Sequence, residues 1–191
     1  AKLRSVPVER VILEDGFWAP RQQILREVTL PSQYKLLEET GRLNNFHRAS
    51  GKVKGEFKGL VFNDSDVYKW VEAIAFSHAE KKSTELHRLV TRVIYDIKEA
   101  QGKDGYVDTY FTFDHEKERW TNLRDLHELY CAGHLIQSAI AHHRATGERP
   151  LLDVACRLAD HICDTFGPNE KLGVPGHPEV EMALVELYRQ T

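Results

Sequence analysis

Apolar residues return every three or four positions through most of this chain, the period of helices that bury one face. The clearest case lies in residues 120–134, WTNLRDLHELYCAGH, where Leu126, Leu129, Tyr130, Gly133 and Ile136 share a stripe that continues to Ile140. Asn122 and Asp125 are its candidate N-caps. His127 and Glu128 fall in the predicted first turn, where backbone N–H groups have no intrahelical acceptor and a neutral or anionic ligand group is welcome. An indole, two imidazoles, a thiol and two carboxylates within one segment point to substrate or cofactor contact rather than to core packing alone.

Residues 1–16 alternate loosely through Val6, Val8, Val11 and Leu13 and predict an extended lead-in or edge strand. Pro20 opens a helix behind Phe17 and Trp18, Pro31 is expected to interrupt it, and a second piece over 32–40 stops at Gly41. Residues 42–63 are polar, carry Gly51, Gly55 and Gly59, and predict a long loop. Such loops are commonly functional, and Phe57 and Phe62 favour that over a mobile excursion. A helix then starts among Asp64, Ser65 and Asp66, with Val67, Trp70, Val71 and Ile74 on its face. Its partner carries Leu86, Leu89, Val90, Val93, Ile94 and Ile97 to a stop at Gly102. A turn at Asp104 and Gly105 leads into β-prone residues 106–113. The segment containing His127 ends as a helix at Gly147. The next helix starts near Pro150, buries Leu151, Val154, Ala155, Leu158, Ile162 and Phe166, and closes at Gly167 and Pro168. The last stripe is Val180, Ala183, Leu184, Leu187 and Tyr188.

These elements form helical hairpins at intervals of about fifty to sixty residues, the rhythm of all-α arrays and closed toroids. Asp64 and Asp66, His127 and Glu128, and His177 and Glu179 each stand at the start of the first helix of a pair, so they should gather on one rim, the expected binding face. The last helix has no partner in the sequence. Residues 1–191 therefore read as the N-terminal portion of a longer protein, and the isolated chain is expected to self-associate through that uncovered helix.

Composition narrows the partners. The 191 residues carry a net charge of -3 without a basic block, which argues against nucleic acid. No apolar run approaches the ~20 residues of a membrane span, so a cytoplasmic location is expected, with an export signal removed before Ala1 left open. Cys131, Cys156 and Cys163 are odd in number and fall in helical patterns, which argues against a disulfide framework. Cys156 and Cys163 share a helix face and read as packing residues. HELYC at 127–131 shares only its first two letters with the zinc motif HExxH, and no metal set is assigned. Paired carboxylates are the usual mark of glycoside hydrolysis. Asp64, Asp66, Asp104, Asp108, Asp125 and Glu179 are candidates, but most also serve as cap or turn residues and none stands out as a raised-pKa acid. No catalytic residue is assigned.

Longer motifs add a resemblance. GFWAPR at 16–21, EETGRLNNF at 38–46, FNDSDVYKW at 62–70, AQGKDGYVDTYF at 100–111, RWTNLRDLHELYCAGHLI at 119–136, ADHICDTFGP at 159–168 and the PGHPEVEMALVELYRQT run at 175–191 resemble family 127 glycoside hydrolases. These are bacterial and fungal β-L-arabinofuranosidases and relatives, formerly a domain of unknown function. The resemblance implies an (α/α)6 barrel followed by β-sandwich domains, with roughly half of the barrel present. It also implies a retaining mechanism with a cysteine nucleophile in a zinc–thiolate site and a glutamate acid/base, both in a later segment. Zinc is thus expected in the parent enzyme and not in this chain, and none of the three cysteines stands in the nucleophile's motif. What carries over is sugar binding. His127 and His177 resemble the histidines that hydrogen-bond arabinofuranose hydroxyls, and Phe62 and Asp66 resemble the pocket wall. The implied function is part of a retaining exo-glycosidase that releases L-arabinofuranose from arabinose-containing oligosaccharides or glycoconjugates, inactive as this chain alone. A non-catalytic helical module that binds carbohydrate or protein is the alternative.

Overall fold

The long apolar stripes become helices, and no strand forms among the described residues, which in this computed structural model are 6–14, 16–167 and 169–191. The helices are α1 (Trp18–Ile24), α2 (Leu30–Glu39), α3 (Arg42–Ala49), α4 (Asp64–Glu80), α5 (Thr84–Ala100), α6 (Glu128–Thr146), α7 (Pro150–Thr165) and α8 (Glu179–Gln190). In α6, buried residues occur on nearly every side, from Leu129 and Cys131 to Ile140 and His142, so it is central. By contrast, α5 and α7 bury one stripe each, Leu86 to Ile97 and Leu151 to Ile162, and flank the centre.

Helices α4, α6 and α8 run parallel. Lys69 near the start of α4 reaches Tyr130 near the start of α6, and Arg144 near the end of α6 bonds Glu186 and Gln190 near the end of α8. Antiparallel returns α5 and α7 connect them, capped by Ser83, which accepts the Leu86 N–H, and opened by Gly147 in the left-handed conformation. The architecture is a partial α/α toroid of helical hairpins. On α8 the side chains of Met182, Val185 and Tyr188 remain exposed.

Four expectations need correction. The lead-in forms a short 3-10 turn, Val8–Arg10, rather than a strand; residues 1–5 lie outside the described residues, as does the predicted stop at Pro168. Pro31 does not interrupt its helix, because a π-helical stretch, Leu25–Thr29, precedes it and absorbs the bond that proline cannot donate. The loop predicted over 42–63 begins as α3, whose Leu43 and Phe46 make too short a stripe to stand out among polar neighbours. Two buried polar side chains of α3 anchor the chain between it and α4. Asn45 exchanges two bonds of 3.0 Å with the Lys58 backbone, and Arg48 donates to Gly55 O and Thr112 Oγ1. Finally, α6 starts at Glu128, six residues after the proposed cap Asn122. Asn122 and Asp125 bond each other in a turn ahead of it, so Leu126 lies outside the helix.

Residues 106–111 are mostly buried yet form neither helix nor strand, and the chain bends at 109–111. A buried N–H left unpaired is costly, so carboxylates supply the missing acceptors. Asp64 accepts the Thr109 N–H at 2.7 Å and its hydroxyl at 2.6 Å, and Asp108 accepts the Tyr110 N–H at 2.9 Å. Glu128 accepts the Tyr106 hydroxyl and the Trp120 N–H, both at 2.6 Å. Burial raises all three acids, contrary to expectation: Asp64 to about 6, Glu128 to about 7, and Asp108 well above the usual carboxylate range with Asp64 and Glu128 beside it.

Close backbone approach completes the fold. A Cβ on Gly133 would stand 2.7 Å from Glu179 Cγ and 2.9 Å from Glu179 C and Val180 N, so only glycine lets α8 cross α6 at this distance. A Cβ on Gly176 would collide with the Arg124 carbonyl, and the Gly176 N–H donates to Leu123 O at 3.2 Å.

This packing makes the pH dependence of stability predictable. A carboxyl raised in the fold favours the folded state below its unfolded pKa, and that contribution is lost as pH rises through the folded value. Stability should therefore fall between about pH 4 and pH 7. Glu128→Gln removes the charge, its amide oxygen accepting the Trp120 N–H and its NH2 donating to the Tyr106 oxygen, so denaturant melts at pH 5 and pH 8 should show a flatter profile. For Glu128, raised from 4.5 to about 7, the gain at pH 8 is at most about 3 kcal/mol; an unchanged slope would show that this acid titrates normally. Gly133→Val should loosen α8, read as faster hydrogen exchange over 179–190 with α4 to α7 protected, at a cost of roughly 1–3 kcal/mol.

Candidate functional site

His127 is the residue just before α6 and adopts φ 58°, in the left-handed region that side chains rarely occupy. Trp120, at φ 60°, does the same at the other end of the preceding turn. Each such conformation costs roughly 1–2 kcal/mol, and such strain gathers at functional sites. Glu128 holds this turn by taking the Trp120 N–H, while the His127 carbonyl accepts the Cys131 N–H at 3.0 Å and starts the helix.

The lead-in to α8, pressed onto Leu123 and Arg124 at Gly176, brings His177 to the same place. The His127 and His177 ring centroids are 5.3 Å apart. Phe62, just ahead of α4, stands edge-on to His127 at 5.3 Å. Tyr130, one turn into α6, packs 4.9 Å from His177 and 4.5 Å from His134. The Lys69 ammonium lies 2.5 Å from the Tyr130 hydroxyl and 3.4 Å from Ser65 Oγ. His134 Nδ1 lies 3.5 Å from the Glu179 carboxylate, and burial, then Lys69 and His177, push His134 down to about 4, so it is neutral at neutral pH.

A cavity of about 370 Å³ opens against Tyr130, His177, Glu179 and Met182. His127 Nδ1 is buried without a hydrogen-bond partner among the described residues, and an unpaired buried imidazole nitrogen is costly unless something else meets it. A neutral imidazole offers one donor and one acceptor, the pairing a hydroxyl requires, so the arrangement can grip a polyol.

Of the four sequence candidates, Phe62, His127 and His177 stand together. Asp66 does not join them: it accepts a bond from Asn63 at 2.8 Å, lies 3.5 Å from Arg42 Nε, and lines a groove between α2 and α4. Sequence reasoning missed Lys69 and took Tyr130 for core. Tyr130 and His134 lie three and seven residues after His127, a spacing that could have placed all three on one side of the helix.

The three cysteines differ in burial. Cys131 is buried, burial raises its thiol, and its sulfur is directed at Phe62 O, 3.6 Å away; Cys156 is half-buried, and Cys163 is exposed rather than packed. Among the described residues no group of three or more His, Cys, Asp or Glu side chains is placed to hold a metal ion, and no helix is long and apolar enough to cross a membrane.

Comparison with known proteins places this geometry. The non-reducing end beta-L-arabinofuranosidase of Bifidobacterium longum subsp. longum is 34% identical over 206 residues, covering 95% of this chain and 31% of that protein. The crystal structure of a GH127 beta-L-arabinofuranosidase from Geobacillus stearothermophilus T6 superposes with a TM-score of 0.91 at 44% identity, over 94% of this chain and 30% of its own. Another solved structure, a GH127 beta-arabinofuranosidase, gives a TM-score of 0.90 at 39% identity, covering 97% of this chain and 31% of that one. The chain thus spans about a third of the length of these relatives. The sequence model of the beta-L-arabinofuranosidase GH127 catalytic domain matches residues 10–191, and the chain belongs to glycoside hydrolase family 127.

Proposed function

We propose that this chain forms the N-terminal part of the catalytic domain of a retaining, exo-acting β-L-arabinofuranosidase, and that its rim holds the terminal arabinofuranosyl residue. The observation that carries this reading is the His127–His177 pair, 5.3 Å apart beside a cavity, with His127 Nδ1 buried and unpartnered among the described residues. Two imidazoles meeting neighbouring hydroxyls fix the orientation of a sugar ring, and Phe62 and Tyr130 give its C–H faces an apolar wall. His134, neutral and beside Glu179, adds a second polar tier below.

Nucleophile, acid/base and zinc belong, in this reading, to chain outside residues 1–191. Cys131 does not fit a thiolate ligand or nucleophile, because a thiol raised by burial stays protonated. The buried acids Asp64, Asp108 and Glu128 are committed to the 106–111 segment and to Trp120, so no step of the hydrolysis is assigned to them.

Hydrolysis of a β-L-arabinofuranoside by the product of the whole reading frame, and none by the 191-residue chain, is the expected result. Turnover by the short chain would overturn the placement of the nucleophile. In the whole product, His127→Ala and His177→Ala should each lower kcat/KM by roughly ten- to a hundredfold, the value of one or two hydrogen bonds to a bound hydroxyl. Retained activity in both variants would remove the imidazoles from the site.

A further inference from the structure

The buried indole of Trp120 sits in an aromatic box. Tyr106 and Phe166 stand edge-on to it at 5.2 and 5.4 Å, and the His161 imidazole stacks on it at 6.0 Å between ring centroids. Packing alone would be met by any ring at position 161, but the polar contacts ask for more. The indole N–H donates to His161 Nε2 at 3.3 Å, and His161 Nδ1 lies 3.0 Å from the Asp104 carbonyl oxygen. A carbonyl only accepts and an indole N–H only donates, so both contacts are met by one form of the ring, with its proton on Nδ1 and a lone pair on Nε2.

His161 belongs to the flanking helix α7, which is itself fixed to the chain ahead of Trp120. Arg157, one turn before His161, donates to Gly102 O and Lys103 O at 3.0 and 3.2 Å, and a Cβ on Gly105 would collide with the Arg157 carbonyl. Trp120 in turn opens the bend that ends at His127. Its backbone N–H is held at 2.6 Å by Glu128, the residue after His127, and both ends of the bend are left-handed, at φ 60° and 58°. Backbone in a disfavoured conformation persists only where its surroundings over-determine it. Glu128 fixes the backbone of Trp120, and His161 fixes its side chain.

We infer that His161 is a positioning residue of the sugar site: by accepting the Trp120 indole N–H it locks the turn that presents the His127 imidazole. The inference rests on the glycosidase reading above, and its test separates the two. In the product of the whole reading frame, kinetics on a β-L-arabinofuranoside are compared for wild type, His161→Phe, His161→Gln, His127→Ala and the double variant His161→Phe with His127→Ala. Phenylalanine keeps the ring and loses the acceptor, whereas glutamine carries an amide oxygen towards the place of Nε2. His161→Phe should raise KM about fivefold with kcat within about twofold, and His161→Gln should stay within about twofold of wild type in both. Without His127 there is nothing left to position, so adding His161→Phe to His127→Ala should change kcat/KM by less than about twofold. If His161→Phe does not fold, Trp120→Phe removes the donor in its place and carries the same expectations for KM and for the cycle. Unchanged kinetics on loss of the acceptor or donor, a glutamine variant as impaired as the phenylalanine one, or an equal loss with and without His127 each overturn the positioning role and leave the sugar site standing. Full activity in His127→Ala removes that imidazole from the site and this inference with it, and a wild-type protein that leaves the substrate intact overturns the glycosidase reading itself.

Discussion

The fold turns on how a buried segment with neither helix nor sheet is kept from being ruinous. Residues 106–111 thread beneath the starts of α4 and α6, where water cannot meet their N–H groups. Asp64 and Asp108 accept those donors, and Glu128 pins Tyr106 and Trp120 from the first turn of α6. The same carboxylates thereby join α4, α6 and the intervening chain into one unit. Their raised pKa values come from this role, since desolvation acts on every acid brought into the interior. The pinned turn leads directly to His127, so the support of the core and the strained presentation of the imidazole are one piece of structure.

Parallel packing of α4, α6 and α8 then sets what the rim can contain. Helices of like direction bring like ends together, so residues just before or just inside each start converge: Phe62, His127 with Tyr130, and His177 with Glu179. The two glycines decide how close. Gly133 lets the α8 backbone touch α6, and Gly176 lets the lead-in lie flat on Arg124. The 5.3 Å between the imidazoles is set by these approaches rather than by attraction between the rings.

Much of this was legible in the sequence because helical hairpins advertise themselves. The stripes of α4, α5, α7 and α8, the Gly147 stop and the repeat of polar clusters at alternate helix starts led to the right architecture and to the His127–His177 pair. Other features carry no periodic signal. A π-helical stretch ahead of Pro31 is a local accommodation, and α3 is too short for a stripe to stand out. Residues 106–111 read as extended chain because their side chains are β-prone; nothing in them reveals that the chain bends at 109–111 or that carboxylates hold it. Asp64, Asp108 and Glu128 look like caps or turn residues until their donors and burial are known. Lys69 is one lysine among many until Tyr130 is placed beside it.

A division of labour between acids and imidazoles explains why this chain looks like a sugar site and not like a hydrolytic one. Hydrolysis by two carboxylates requires both to face the scissile bond, one protonated and one ionised. Here Asp64, Asp108 and Glu128, raised by burial, face inward and are consumed by backbone and hydroxyl donors. Glu179, which does face the rim, is engaged with His134. The groups left with capacity toward a ligand are imidazoles, a phenol and a lysine already paired with that phenol, a set suited to holding a neutral, hydroxyl-rich ring and poorly suited to protonating a leaving oxygen. His134, held neutral by burial and by the nearby Lys69, adds no positive charge to the rim. The strained turn at His127 and the close approach at Gly176 hold these side chains in place.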